Sequence, residues 1–205
     1  MKSTGLMFKP YHVPKVLDGS KTMTRRLRGL DKVNENPDGW ELFEIIVEHF
    51  YYFHNHRTGE DLDIKCPYGV IGDEMWLKES YCYKADPITA VIYEDEIWYR
   101  ATTPDVMKVD DDGGQAYRKD GLEASPWISP MFMPKKFSRF KRPITTLRCE
   151  RLQDITYGDC IKEGVDVSDI RYRPGWDASK FINLWDSINP DHPWSKNEWV
   201  WVIGW

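Results

Sequence analysis

The chain has 205 residues, 41% of them hydrophobic and 30% charged, with ten Trp and eleven Tyr. That length suits one domain burying about 70% of its extended-chain surface, and the composition excludes a disordered or fibrous protein. A net charge of −5 argues against general coating of DNA or RNA, which takes a positive field, but leaves room for a local nucleobase pocket.

In chain order, "GLMF" at 5–8 fits a buried strand. "VPKVLDG" predicts a short helix with Pro14 in its first turn and Gly19 ending it. "KTMTRRL" then alternates Thr22, Thr24 and Arg26 against Met23, Arg25 and Leu27, a strand period. A polar loop leads to "WELFEIIVEHFYYF", and the turn "HNHRTGED" makes the region a hairpin. "GVIGDEMWLKESY" reads as turn then strand. "ITAVIYEDEIWYRAT" predicts a second hairpin turning at 94–96, and the acidic, glycine-bearing stretch 104–125 a surface loop. The run "ITTLRCERL" is β-branched. "ITYGDCIKEGV" predicts a short helix, and "DASKFINLWDSI" a longer one with Phe181, Leu184, Trp185 and Ile188 on one face. "EWVWVIGW" is a further strand. Many short strands with a few short helices predict a mostly β fold with flanking helices (α+β), most simply a small barrel.

The cysteines Cys66, Cys82, Cys149 and Cys160 form no C-x-x-C pair, so neither a zinc site nor a disulfide framework is expected. Reduced, buried thiols are the expectation. No apolar run is long enough for a signal peptide or a membrane span, so a cytoplasmic protein with no membrane partner is expected.

Three constellations bear on chemistry. "FHNH" at 53–56 spells a nuclease name, yet the real motif spreads its histidines over a hairpin and a helix that together hold a metal, and here they read as solvated histidines on a hairpin turn. "PKKFSRFKR" at 134–142 interleaves five basic residues with two phenylalanines. That pattern suits single-stranded nucleic acid, and it equally suits an edge strand defended by charge. The third is "LDGSKTMTRRLRG" at 17–29. A lysine that works as a base must be desolvated or crowded by cations so that its pKa falls. Lys21 has Arg25 and Arg26 nearby in sequence, and Thr24 lies three residues on. A threonine hydroxyl attacks only beside a base within hydrogen-bond reach. Taken alone, the stretch is better explained as a charged helix end; read as one wall of a pocket, it has Lys21 and Thr24 as working residues, with Arg25 and Arg28 solvated.

Its companions alter that balance. "LDGSKTMTRR" resembles the opening "aGxKTxTxR" pattern of ASCH proteins, whose fold is related to the PUA barrel. "CPYGVIGDEMWLKESY" is similar to the family's "pyGxpGDxlWvrE", and "MPKKFSRFKRPIT" to the "MPrwaSRitl" of its longer, often phage- or prophage-encoded members. "RLQDITYGDCIKEGV" resembles "rlqdiseeDaraEGv", and "FINLWDSIN…WVWVIGW" the family's closing helix and strand. The resemblance covers most of the chain as a single domain of PUA-like barrel type. The stretches 28–63 and 104–125 have no counterpart and read as insertions.

Some small ASCH proteins hydrolyse N4-acetylcytidine to cytidine and acetate with a Lys, a Thr and a Glu. The resemblance implies Lys21, Thr24 and Glu163 for those roles, with no metal and no cofactor. It further implies Arg26 and Arg139 as groups orienting the carbonyl or the pyrimidine. Glu79 is either an acceptor for an amino group or half of a strand-end salt bridge. Tyr68 and Trp76 are either stacking partners for the base or core residues. Amide cleavage needs a nucleophile, a donor for the oxyanion and a proton for the leaving amine. Either Thr24 attacks with Lys21 as base, or Lys21 and Glu163 activate water. The expected partner is a nucleoside or base. RNA binding or cleavage by an ASCH module without amidase activity is the alternative, and a non-catalytic docking role the third.

Overall fold

The computed structural model describes residues 1–43, 50–85, 92–102, 116–117, 123–124, 127–167 and 178–205. Its strands are β1 (Ser3–Met7), β2 (Met23–Arg26), β3 (Trp40–Phe43), β4 (Phe50–Asn55), β5 (Asp61–Lys65), β6 (Glu74–Lys78), β7 (Tyr81–Ala85), β8 (Ile92–Tyr99), β9 (Ala116–Tyr117), β10 (Glu123–Ala124), β11 (Lys141–Pro143), β12 (Thr146–Arg151) and β13 (Trp199–Gly204). The helices are α1 (Val13–Leu17), α2 (Asp31–Asn34), α3 (Tyr157–Lys162) and α4 (Ser179–Ile188). The fold is sheet-rich with short helices, as the sequence predicts. Its described strands form four small sheets, ordered β1-β6-β11, β8-β7-β10-β9, β12-β13-β2 and β3-β4-β5, and no closed barrel is found among them.

The chain divides into two compact units. The first comprises Met1–Thr4, Gly19–Glu74 and Pro143–Trp205, the second Gly5–Asp18 and Met75–Arg142.

In the first unit β13 is the central strand, antiparallel to both β12 and β2, and every one of its residues is buried. It is covered on both faces, which is why "WVWVIG" shows no polar alternation. On one face Val200 and Val202 join Met23, Leu152, Phe181 and Trp185 in an apolar cluster. On the other, Trp199 meets the Phe53 ring edge-on at 5.2 Å and Trp201 meets Tyr51 at 4.7 Å. Those partners lie on β4, so the segment the sequence leaves without a family counterpart supplies a wall of the core. It forms a three-stranded meander, β4 pairing with β3 as well as with β5; the connection at 44–49 lies outside the described residues.

In the second unit β7 pairs with β8. The expected turn at 94–96 is a bulge instead: Tyr83 pairs with Ile97 and Lys84 with Tyr93, so three residues of β8 have no partner on β7. The connection at 86–91 lies outside the described residues. The 104–125 stretch contains β9 and β10, and the rest of it also lies outside. Gly5 is needed for close approach, because a Cβ there would come within 2.7 Å of the Trp76 ring. Among the described residues no helix is long and apolar enough to cross a membrane.

Candidate functional site

The stretch that begins at Gly19 is held by backbone bonds from two sides. Gly19 takes a left-handed φ of 82°, a conformation that costs glycine no steric strain. The Thr22 N–H then donates to the Lys162 carbonyl at 2.8 Å, and the Trp205 N–H donates to the Thr22 carbonyl at 3.1 Å. Lys21 is thereby laid against the C-terminal end of α3. Its ammonium donates to the Glu163 carbonyl at 2.8 Å and to Glu163 Oε2 at 2.6 Å. Lys21 is 1% exposed and Glu163 5%.

Glu163 is fixed by how α3 begins and ends. At the start Thr156 and Asp159 form a capping box, each side chain accepting from the other's N–H. At the end Glu163 is the last αR residue, and Gly164 follows at φ 76°. The Gly164 N–H donates to the Ile161 carbonyl and the Val165 N–H to the Cys160 carbonyl, the glycine-dependent helix stop. So "EG" has a local meaning: the glycine turns the chain away, and the glutamate before it remains beside Lys21.

Around this pair lies a buried charge cluster. Arg25 Nη1 donates to Glu163 Oε1 at 3.2 Å, and Arg25 Nη2 donates to Glu150 Oε1 at 2.6 Å and Asp159 Oδ2 at 2.9 Å. Arg148 donates to Glu150 at 2.6 Å and to Asp159 at 2.7 Å. The Arg25 guanidinium also sits 5.8 Å from the centroid of the Phe181 ring. With Lys21 protonated, Lys21, Arg25 and Arg148 balance Glu150, Asp159 and Glu163, so the cluster is neutral in that state. Buried charges persist only when paired in this way.

The electrostatics follow from that burial. Burial pushes the Lys21 ammonium below the usual lysine value; the Glu163 carboxylate opposes this, while Arg26 and Arg25 add to it, and the net direction is down. For Arg25, burial works against the charge, but Glu163, Glu150 and Asp159 outweigh it and raise its pKa. Burial also works against the Asp159 carboxylate, and Arg25 and Arg148 overcome it, holding it below the ordinary range.

Thr24 and Arg26 sit differently. In the β2–β13 register Thr24 faces Ile203 and Arg25 faces Val202, and adjacent strand residues point to opposite faces. Arg25 therefore leaves the strand toward Glu163, and Thr24 leaves it on the side of Arg26. Thr24 is buried, 5% exposed. Arg26 is half-buried; burial lowers its pKa, and the nearby Tyr68 and Glu163 push the other way. Tyr68 is half-buried, its phenol raised by burial, with Arg26 opposing.

The remaining expected residues belong to the second unit. Glu79, 2% exposed, receives Arg139 as a two-point pair, Nε to Oε1 and Nη2 to Oε2, both at 2.7 Å. Arg139 also donates to Thr102 Oγ1 and stacks over the Tyr99 ring at 4.1 Å. Glu79 is thus in a strand-end salt bridge, one of its two sequence readings, and also lines a small cleft of about 50 Å³ with Phe8, Val13 and Ser80. Trp76 is buried against Gly5. In the basic segment Lys135, Lys136, Lys141 and Arg142 are exposed, while Phe137 and Phe140 are buried.

Among the "FHNH" histidines, His54 pairs with Asp61 at 2.7 Å and His56 is exposed. All four cysteines are free and buried. Among the described residues no group of three or more His, Cys, Asp and Glu side chains is placed to hold a metal ion.

Sequence reasoning missed Arg25, which it left in solvent and which is 5% exposed; Arg28 is exposed as expected. The signal was present, because the alternation in "KTMTRRL" puts Arg25 on the face of the buried Met23. Asp159 had a signal too, in the Thr-x-x-Asp spacing of a helix start. No protein-family model, curated protein or solved structure matches the chain.

Proposed function

We propose that the chain is an ASCH-type, metal-independent amidohydrolase that cleaves the N4-acyl amide of N4-acetylcytidine-like nucleosides or bases, giving cytidine or cytosine and a carboxylic acid. The observation that carries this reading is the buried Lys21–Glu163 contact at 2.6 Å, with burial drawing the lysine toward its neutral form. A lysine shifted in that direction gives up its proton more readily, and so serves as a base at lower pH, than an exposed lysine does. The motif resemblance supplies the substrate class, and with it the expectation that the antiparallel sheets belong to a PUA-like barrel.

In this mechanism neutral Lys21 takes a proton from water as the water oxygen bonds to the acyl carbon. The carbonyl becomes an oxyanion, and Arg26, electrostatically coupled to Glu163, offers the compensating positive charge. The C–N bond then breaks as the proton passes from Lys21, with Glu163 as relay, to the departing N4 amine. One water is consumed, and the acid and the free amine are released. Water is taken as the nucleophile because Lys21 and Glu163 meet directly at 2.6 Å; Thr24, buried on β2, is assigned to orienting the acyl group. Tyr68, close to Arg26, is assigned to the base.

The RNA alternative draws support from exposed Lys135, Lys136, Lys141 and Arg142, but with Phe137 and Phe140 buried the segment offers charge without a stacking platform. The amidase reading is preferred. Incubation with N4-acetylcytidine in the presence of a chelator should release cytidine, and Lys21→Ala should abolish the release. Full activity in that variant would refute the mechanism.

A further inference from the structure

Glu163 has two oxygens, and the structure assigns them to different cations: Oε2 to Lys21 at 2.6 Å and Oε1 to Arg25 at 3.2 Å. Arg25 is itself anchored at the far end by Glu150 and Asp159, both of which are also held by Arg148. The carboxylate that meets Lys21 is therefore one terminus of a chain of charge-assisted bonds running from β12 through β2 to the end of α3. Asp159 closes the chain on α3 itself, through its capping bond to Thr156.

We propose that Arg25 is a positioning residue for the amidohydrolase site: it occupies one oxygen of Glu163 and so prevents the carboxylate from becoming the undivided counter-ion of Lys21. This inference rests on the proposed function for its kinetic consequence, but its physical content stands independently of it.

An undivided carboxylate beside an ammonium stabilises the charged lysine, and such a lysine is a poor base at neutral pH. Arg25 weakens that stabilisation in two ways. It draws negative charge toward Oε1, and it adds a second positive charge close to Lys21. The charged groups acting on Lys21 include Glu163 from the end of α3 and Arg25 and Arg26 from β2. Glu150, Arg148 and Asp159 act on it through Arg25. Arg25 hydrogen-bonds Glu163 and also Glu150 and Asp159, so removing it changes both the charge and the orientation of Glu163.

Two variants test this. Arg25→Lys keeps a cation but cannot span three carboxylates. Arg25→Met combined with Glu150→Gln removes one charge of each sign, leaving Lys21 and Arg148 against Asp159 and Glu163, so the cluster stays neutral and the fold is protected. In each, Lys21 is titrated through its Nζ and Cε signals in protein labelled at lysine, and hydrolysis of N4-acetylcytidine is followed from pH 5 to 10. The expected result is an upward shift of the Lys21 titration by about one unit or more. The acid limb of kcat should move with it, giving roughly tenfold slower turnover at neutral pH and little change in KM. A Lys21 titration unmoved in the double variant overturns the proposal, whatever the activity does. A wild type that hydrolyses nothing overturns the proposed function alone, because the titration still decides the role of Arg25.

Discussion

Replacing Glu163 by Gln keeps the shape of the Lys21 contact and removes its charge. Lys21 is 1% exposed, so its ammonium would face the Glu163 backbone carbonyl together with the cations Arg25 and Arg26. The folded variant has two options. Keeping the charge costs about 3–5 kcal/mol, the usual loss when one partner of a buried ion pair is removed. Shedding the proton at pH 7 costs about 5 kcal/mol, since the ordinary lysine value of 10.5 lies about 3.5 units higher at about 1.4 kcal/mol each. Only the second cost falls as pH rises. Where the folded variant holds Lys21 neutral, the unfolded chain binds one more proton, so stability climbs with pH until the unfolded lysine titrates. The wild type begins that climb only at its own folded value, which the Glu163 carboxylate keeps above that of the variant. The deficit should therefore be greatest at low pH, about 3–5 kcal/mol, and shrink between the folded value of the variant and that of the wild type. Urea unfolding followed by tryptophan fluorescence from pH 5 to 9 measures it. A deficit that is constant or grows across that range, or none at pH 5, would refute the reasoning.

Gly164→Ala forces a Cβ into a left-handed position and should cost about 1–2 kcal/mol by denaturant titration. Because the residue before it is Glu163, turnover of N4-acetylcytidine should fall further than that stability loss explains. Trp201→Ala removes a ring with no exposed surface that Tyr51 meets edge-on; a loss of about 3–5 kcal/mol is expected, read as a lower urea midpoint with the near-ultraviolet dichroism of the core reduced.

Periodicity and helix-stop signals made most of the local structure legible. The alternation in "KTMTRRL", the glycine at 19 and the apolar face of α4 all appear where local rules put them. What escaped was set by long-range pairing. The bulge in β8 places Glu94, Asp95 and Glu96 opposite no residue, and charged residues in mid-strand look like a turn until the partner strand is known. The meander β3-β4-β5 read as an insertion, because no local signal says that Tyr51 and Phe53 will cover β13. At the site, the three-residue spacing of Lys21 and Thr24 suggested mutual reach. The contact that local spacing could not show is the one Lys21 makes with Glu163, a residue 142 positions away in sequence.

The central position of β13 has a consequence for how the protein comes into being. β13 follows β2 and β12 in the chain and is the strand that joins them. Pairing β2 with it closes a loop of some 175 residues, from Arg26 to Trp201, and non-local closures of this kind are slow steps in folding. During synthesis the Lys21 segment is made before α3, β12 and β13 and waits, solvated and fully basic, until they have followed. The altered basicity of Lys21 is thus acquired only once those elements have joined β2, and a nascent chain has an ordinary lysine there until then.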